Sequence, residues 1–206
     1  MEDKRTHIVE TAKKLFLENG FSLTSMEDVA KESGMGKASL YHYFTGKDEL
    51  LHAVIDAEND DMSSYILDHI KNGKTASEKL HLYIDAKFHR LKDRHTSLKK
   101  HKIPLLQDMG DKYFVIMSKF GQRETELLAS IFVNGITSGE FKQADPLKLA
   151  QLMVTMFWGL QFSVYQQSCV DGFSKPTFDH AENQSRLYID LMLNGILQNQ
   201  NKQESN

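Results

Sequence analysis

Residues 24–47, TSMEDVAKESGMGKASLYHYFTGK, contain two short helical segments separated by a glycine-containing turn. Ser25 and Asp28 stand at the spacing of a capping box, which predicts that the first segment begins after Ser25 or one residue earlier. The turn Ser33-Gly34-Met35-Gly36 ends this helix, and a second helix is predicted over residues 37–44. Because so tight a turn needs a glycine and sets its two helices at a steep angle, this stretch predicts a helix-turn-helix.

The second segment has a surface suited to a polyanion. From Ser33 to Lys47 there is no Asp or Glu, whereas the stretch carries lysines, a histidine, tyrosines and hydroxyl groups. Lysine and hydroxyl groups without carboxylates favour phosphate binding, as do the free amides at a helix N-terminus. A solvated helical hairpin explains each residue singly, but the combination favours DNA. The residues expected at the leading end or outer side of this helix are Gly36, Lys37, Ala38, Ser39, Tyr41, His42 and Tyr43.

Helices on both sides complete this N-terminal unit. Apolar residues recur at intervals of three and four between Ile8 and Phe16, which predicts a first helix over residues 4–19. Lys47 opens a long fourth helix, so its ammonium and the amides of that helix are expected to grip the same phosphate. The side chains predicted to fill the core between the two short helices are Val29, Ala30, Leu40 and Phe44.

The rest of the chain is also helical in pattern and shows no sustained two-residue alternation. We therefore predict an all-α protein of about nine helices, with an N-terminal three-helix DNA-binding domain over residues 1–48. A larger helical bundle follows at residues 49–200, and residues 201–206 are expected to form a disordered tail. The helices predicted after the third are 47–71, 76–94, 98–109, 111–138, 146–168 and 180–198.

The N-terminal stretch resembles the DNA-binding domain of the TetR family of bacterial repressors. The similarity lies in Ile8–Phe21, Thr24–Ala30, Gly34–Phe44 and Lys47–Leu50, so it covers about the first 50 residues. The rest is similar in the number, length and order of its helices and in one stretch, Ser138-Gly139-Glu140-Phe141 leading to Asp145-Pro146, which is similar to a turn common in the family. One departure is Gly36, where the family often has Ser or Thr, so only a backbone amide is offered there. The resemblance implies a transcriptional repressor whose C-terminal bundle binds a ligand and dimerises.

The resemblance also implies a role toward DNA for individual residues. Thr24 would hold a phosphate at the start of the second helix, and Tyr43 and Lys47 would bind phosphates. Residues 37–39 would enter the major groove, and residues 41–42 would touch bases or the nearby backbone. Phosphate contacts of this kind fix the register on the duplex, whereas base contacts supply the sequence preference.

Two DNA-binding heads are needed for useful affinity, because each good bidentate base contact discriminates by only about 1–3 kcal/mol. Relatives of this type pair through their last two long helices, here predicted at 146–168 and 180–198. Each of these helices is apolar on more than one side, which a core and a partner subunit satisfy together; a single crowded core is the alternative. The resemblance therefore implies a homodimer that binds double-stranded DNA at a near-palindromic operator.

The middle helices of the bundle are expected to enclose a pocket for a small-molecule effector. The nine methionines favour an adaptable interior, although methionine or aromatic stripes at helical spacing are more often core. A ligand of this pocket would be apolar and at least partly aromatic or acyl. The candidate ligand-binding residues are Tyr83, Phe88, Met109, Phe114, Met117, Trp158 and Phe162.

Two hypotheses for function follow, and a third is disfavoured. The main hypothesis is a repressor that a small, apolar ligand releases from its operator. The alternative is a DNA-binding regulator of the same fold that responds to a protein partner or acts without an inducer, which a collapsed pocket would favour. An enzyme is not expected, because the sequence has no Ser/His/Asp pattern, glycine-rich phosphate loop or paired carboxylates, and no cofactor is predicted.

Several other classes of site are disfavoured. His81 and His89 are eight residues apart rather than the three or four that bring two ligands together on a helix, so no metal site is predicted. The lone cysteine, Cys169, cannot form a disulfide within the chain, which fits a cytoplasmic protein. No apolar run approaches the roughly 20 residues that span a bilayer, so no membrane association is expected.

Residues 71–102 are unusually basic, with 10 Lys or Arg against 3 acidic residues. The preferred interpretation is a solvated face that partly neutralises the acidic residues of the fourth helix, Asp56, Glu58, Asp60 and Asp61. Extra phosphate contact or an anionic ligand is the alternative.

Overall fold

The computed structural model describes residues 2–98, 111–171 and 175–197. Within these ranges the regular elements are eight α-helices, which confirms the all-α prediction. The helix predicted over 98–109 lies outside the described residues except for Leu98, and so does the tail 201–206. The helices are α1 Glu2–Asn19, α2 Met26–Glu32, α3 Lys37–Tyr43, α4 Lys47–Ile70, α5 Ala76–Leu98, α6 Asp111–Thr137, α7 Pro146–Asp171 and α8 Lys175–Ile196.

The largest difference from the predicted boundaries is at α8, which begins at Lys175 rather than at residue 180. Pro176 is the second residue of this helix. A proline near the start of a helix costs little, because the first-turn N–H groups have no partner within the helix. The predicted ranges 146–168 and 180–198 leave this proline between two helices, whereas it lies in the first turn of α8.

The described chain divides into two compact units, and the boundary falls inside α4, after Met62. Helices α1–α3 and the start of α4 belong to the first unit. The second unit contains the end of α4, α5 up to His95, α6 from Gly121, and all of α7 and α8. The predicted functional boundaries at residues 48 and 200 stay a prediction, since compactness and function need not divide a chain at the same place.

One hydrophobic cluster holds the first unit together. It includes the four residues predicted for the core between the short helices, all of which are buried. The rings of Phe16 and Phe21 meet edge to face, with their centroids 5.3 Å apart, where α1 gives way to the turn. The buried residues of the cluster are Ile8, Val9, Ala12, Leu15, Phe16, Phe21, Met26, Val29, Ala30, Leu40, Phe44, Leu50, Leu51, Val54 and Ile55.

In the second unit, the turn between α6 and α7 fixes the start of α5. The carboxylate of Glu140 accepts hydrogen bonds from the Ala76 N–H at 2.8 Å and from the Ser77 N–H at 2.9 Å. The turn reaches this position because Gly139 adopts a left-handed φ of 77°, which a glycine tolerates without strain, and because Phe141 is buried beside it. A residue distant in the sequence therefore caps α5 with a charged acceptor.

Ion pairs connect α5 with α8 in the same unit. Lys92 of α5 pairs with Glu182 and lies 3.3 Å from Asp179, both on α8. Arg186 of α8 reaches back to Asp85 of α5 at 2.7 Å and also contacts Glu182 at 3.1 Å. Because these groups are partly exposed and share partners, they form a network rather than separate surface pairs.

Part of the basic stretch 71–102 pairs with helices other than the fourth, and its interpretation as a face that neutralises the acidic residues of the fourth helix stays a prediction. Lys92, and His81 at 3.5 Å, contact acidic residues of α8. Glu58, one of the acidic residues in question, instead pairs with Lys13 of α1. The pair of Lys92 with Glu182 joins residues 90 apart in the chain, so local charge counting does not reveal it.

Replacing Glu140 with alanine should lower the free energy of unfolding by about 1–2 kcal/mol, because two first-turn N–H groups of α5 lose their acceptor. Urea denaturation at pH 7 measures this difference. Glu126→Ala removes an exposed glutamate of α6 and is the matched control, with an expected change below about 0.5 kcal/mol.

The contacts of Glu140 also predict that its contribution to stability depends on pH. Burial raises the pKa of Glu140, but hydrogen bonds from Ser77 and Ala76 outweigh it, so the net pKa is lowered. The stabilisation is therefore complete above the unfolded-state pKa, about 4.3 for a glutamate, and is lost as the pH falls through the lower folded-state pKa. A difference between wild type and Glu140→Ala that does not shrink on acidification would contradict this account.

Candidate nucleic-acid interface and buried polar cluster

Helix α2 begins where its capping residues predict. The Asp28 N–H donates to the Ser25 hydroxyl oxygen at 3.1 Å, and the Ser25 N–H donates to the Asp28 carboxylate at 2.8 Å. The capping box is therefore present, with aspartate in the acidic position. The hydrogen bonds that the Ser25 side chain and backbone give to Asp28 lower the pKa of this carboxyl, so it stays ionised at the helix start.

The turn between α2 and α3 depends on one glycine. Gly34 has a φ of 68°, a left-handed conformation that residues with a Cβ rarely adopt. The chain then folds back so that the Met35 N–H donates to the Ala30 carbonyl at 2.8 Å. Gly36, in contrast, is the extended N-cap of α3 at a φ of −70°, so its backbone does not require glycine. The departure from Ser or Thr at this position therefore changes the surface and not the turn.

Helix α3 presents most of the predicted contact residues together. Leu40 is its one buried residue and fixes the helix on the core. The ring of Tyr43 is half-buried and meets the ring of His42 edge to face at 5.8 Å. The predicted residues that are exposed are Gly36, Lys37, Ala38, Ser39, Tyr41 and His42.

Lys47 lies beside this surface and is held by the turn after α1. Its ammonium donates to the Phe21 carbonyl at 2.9 Å and to the Ser22 carbonyl at 3.3 Å, and it lies 4.5 Å from the centre of the Phe21 ring. These two bonds use two of its three N–H donors. The geometry therefore orients the ammonium and leaves it one donor for a phosphate oxygen.

Thr24 differs from the other predicted contact residues. Its side chain is buried, and its hydroxyl donates to the Gly20 carbonyl at 2.7 Å and lies 3.3 Å from the Leu15 carbonyl. The hydroxyl thus joins the start of α2 to the end of α1. This geometry gives Thr24 a structural role and gives no support to a direct phosphate contact from its side chain.

The structure also adds a carboxylate to the surface that the sequence reading treated as free of acids. Glu27 of α2 pairs with Lys37 of α3, and both side chains are more than half exposed, at 58% and 59%. The hydrogen bond from Lys37 lowers the pKa of Glu27. The acid-free run from 33 to 47 is therefore not an acid-free surface, because α2 packs beside α3.

The predicted ligand-binding residues fall into different environments. Tyr83 and Phe88 are buried, Trp158 is partly buried, and Phe162 is half-exposed. Met109 lies outside the described residues. Phe114 and Met117 belong to α6, but nothing is described of their side chains.

A cleft of about 500 Å³ that opens to solvent lies elsewhere in the second unit, beside the Glu140 turn, and is lined by none of these seven residues. The residues that line it are Lys74, Thr75, Ala76, Lys79, Ile131, Asn134, Ser138, Gly139 and Glu140.

Tyr83 belongs to a buried polar cluster that the sequence reading missed. Lys87 of α5 and Glu124 of α6 form an ion pair in which the side chains are only 2% and 3% exposed. The Tyr83 hydroxyl donates to the same carboxylate at 2.8 Å, and the Trp158 indole N–H lies 3.5 Å from its other oxygen. Burial, followed by the nearby Glu124, raises the pKa of Tyr83 well above its usual value. The Lys87 ammonium also lies 4.7 Å from the centre of the Phe157 ring.

The described residues also bear on metal sites and membrane spans. In residues 2–98, 111–171 and 175–197, no group of three or more His, Cys, Asp or Glu side chains could hold a metal ion. Among the helices of the same residues, none combines the length and the apolar character that a bilayer crossing requires.

Two short helices joined by a glycine turn, the second of them exposed and largely polar, are typical of a DNA-binding regulator of the helix-turn-helix class. The model of the family described as "Bacterial regulatory proteins, tetR family" matches residues 8–54. Residues 8–54 therefore resemble the DNA-binding domain of this family. Proteins of the family bind DNA, and they typically dimerise and bind small-molecule effectors.

Individual relatives extend the similarity beyond the head. The chain is 27% identical to the "Fatty acid metabolism regulator protein" of Bacillus subtilis (strain 168), over 73% of this chain and 77% of the relative. It is 21% identical to the "HTH-type transcriptional repressor KstR2" of Rhodococcus jostii (strain RHA1), over 71% and 72%. A transcriptional regulator from Cytophaga hutchinsonii has a similar crystal structure, with a TM-score of 0.74, 26% identity, and coverage of 93% of this chain and 97% of that one.

The buried ion pair predicts strongly unequal effects of single and double substitutions. Glu124→Leu should lower the free energy of unfolding by about 3–5 kcal/mol, because it leaves the Lys87 ammonium buried without its carboxylate. Adding Lys87→Met should recover part of that loss, since two apolar groups need no pairing, whereas the Tyr83 hydroxyl stays without its acceptor. Urea denaturation of the two single variants and the double variant measures the coupling.

Lys92→Met is the control for removal of a lysine from a partly exposed pair on the same helix, and it should cost less than about 1 kcal/mol. A double variant whose loss equals the sum of the two single losses would show that the buried charges do not interact as described.

Proposed function

We propose that the chain is a transcriptional repressor that acts in the cytoplasm as a homodimer, binds a near-palindromic operator and is released by a small, apolar ligand. The observation that carries the DNA-binding part is the exposure of residues 36–39 and 41–42 around α3, which Leu40 anchors to the core. In this proposal residues 37–39 enter the major groove and Tyr43 and Lys47 bind phosphates. Repression is supported by the name of the Rhodococcus relative, a transcriptional repressor.

The last two helices are proposed as the dimer interface. Large apolar side chains lie exposed on both of them, and such patches on a soluble protein mark an interaction surface. A two-fold axis that pairs α7 and α8 with their copies would cover these side chains and present two heads to one operator. The exposed apolar residues are Leu147, Leu152 and Phe162 on α7 and Leu187 and Leu191 on α8.

The proposed ligand is apolar because of the chemistry around Tyr83. The Tyr83 hydroxyl and the Lys87 ammonium both bond to Glu124, which leaves ring surfaces rather than polar atoms for a ligand. Phe88 and Trp158 would add further aromatic surface. The name of the Bacillus relative, a regulator of fatty acid metabolism, supports an acyl or similarly apolar compound.

The experiment that tests the proposal is selection of bound sequences from a random pool of duplex DNA, repeated with a panel of apolar and acyl metabolites. An enriched near-palindrome whose binding falls with rising salt supports the DNA-binding part, and release by a panel member supports the ligand part. Operator binding that no metabolite changes, but that a protein from the same cells relieves, would favour the alternative of control by a protein partner. Absence of any enriched sequence would refute both.

Lys37→Ala should weaken binding to the selected operator by about tenfold or more, because a lost base contact is worth about 1–3 kcal/mol. Fluorescence anisotropy with the labelled operator measures the change. Lys71→Ala removes the same charge from an exposed lysine directly after α4, outside the proposed interface. It should change the affinity by less than about twofold. Equal effects of the two variants would remove Lys37 from the interface.

Leu191→Asp should convert the dimer to a monomer, because it puts a charge on an apolar side chain that is 64% exposed in the single chain and is proposed to face the partner. Sedimentation analysis measures the mass, and operator affinity should fall together with it. Leu67→Asp changes an equally apolar, exposed residue of α4 and is expected to leave the protein dimeric. A Leu191→Asp variant that remains dimeric would place the interface elsewhere.

A further inference from the structure

The pair between Glu27 and Lys37 joins the two helices of the helix-turn-helix at the proposed DNA surface. Glu27 lies in the first turn of α2, and Lys37 is the first residue of α3. Both side chains remain more than half exposed, so an approaching duplex can reach the ammonium without first displacing other side chains. Lys37, which is proposed to read bases, is thus paired with a carboxylate of the neighbouring helix.

The other carboxylates of α2 do not share this arrangement. Asp28 is bonded to Ser25 in the capping box, and Glu32 bonds to Lys14 of α1 at 2.8 Å. Lys14 is outside the set of residues proposed to contact DNA. Glu27 is therefore the carboxylate of this helix whose described partner is a proposed base-reading residue.

Phosphates and bases attract a lysine by different means. Attraction to the phosphate backbone comes from net charge and does not depend on sequence, whereas base edges are recognised by short, directional hydrogen bonds. An ammonium that is paired with a carboxylate has lost most of its net charge at the distance of a passing phosphate. It still has two N–H donors, which can reach the guanine O6 and N7 acceptors in the major groove.

We propose that Glu27 is a specificity-determining residue that stays paired with Lys37. The pairing weakens the attraction of the Lys37 ammonium to phosphates and orients its remaining N–H donors toward base edges. The proposal rests on the proposed function, because it needs α3 to read DNA. Glu27 would lower the affinity for random DNA more than the affinity for the operator, and so would widen the ratio between them.

The test compares the affinities of wild type and Glu27→Gln for the operator selected by the wild-type protein and for a random duplex of equal length. Near 0.1 M salt the variant should bind random DNA roughly three to ten times more tightly for each bound head, because each head gains about one phosphate contact. The plot of log affinity against log salt for random DNA should steepen by about 0.9 for each bound head. The operator affinity should rise less or fall, so the ratio of the two affinities decreases.

Glu32→Gln is the matched control. It removes the same charge from the same helix and also breaks a pair with an exposed lysine. General electrostatics predicts equal effects of the two variants on both duplexes, whereas the proposal predicts that Glu32→Gln leaves the ratio unchanged. Glu27→Gln combined with Lys37→Met completes a double-mutant cycle, in which the shift in ratio should disappear. Circular dichroism and thermal unfolding of each variant check that the fold is retained.

Three results would overturn the proposal: an unchanged or increased ratio in Glu27→Gln, an equal change in Glu32→Gln, or a shift that persists without Lys37. Weaker binding of Glu27→Gln to both duplexes would instead assign Glu27 a purely structural role. Failure of the proposed function is distinguishable, because wild type would then enrich no sequence and show no salt-dependent binding to either duplex. In that case the inference about Glu27 falls with it.

Discussion

Helix α3 is seven residues long, and a helix of that length is not stable alone in water. Its geometry therefore depends on tertiary contacts, above all the burial of Leu40 within the helix and of Phe44 directly after it. Because one residue of the helix is buried, nearly all the others can be offered to DNA. The left-handed Gly34 supplies the other half of this constraint, since it lets α3 return to the same core that holds α1 and α2. The position of the exposed face of α3 is thus fixed by the buried side chains beneath it and by the turn at Gly34.

The second unit relies more on paired charges than its sequence suggests. Helix α5 bonds through Lys87 to α6 and through Lys92 and Asp85 to α8, and Glu140 holds its first turn. The first of these contacts is buried and would be costly to break on one side only. If the apolar ligand proposed above binds beside Tyr83, it would meet a carboxylate whose bonds are made within the protein, and this proposal implies that ligand binding and the position of α5 depend on each other.

Local patterns predicted most of the N-terminal unit. The capping box at Ser25, the glycine turn and the core residues Val29 and Leu40 were all predicted correctly, because spacing within a few residues decides them. What was missed depends on contacts between elements. The burial of the Thr24 side chain and the pairing of Glu27 with Lys37 follow from how the helices pack.

The pairing of Lys87 with Glu124 spans 37 residues, and no periodicity signals it. In each of these cases the sequence supplies the residue type, and only the packing of the helices supplies its partner.

The turn from Ser138 to Phe141 has a practical meaning for anyone who modifies this protein. Ser138 and Gly139 are exposed, which makes the loop look like a convenient place for an epitope tag or a fluorescent fusion. Yet an inserted peptide would pull the following carboxylate away from the amides at the start of α5 and unseat the buried Phe141. This loop is therefore accessible to solvent but is expected not to tolerate an insertion, because it holds the start of a helix that is distant in the sequence.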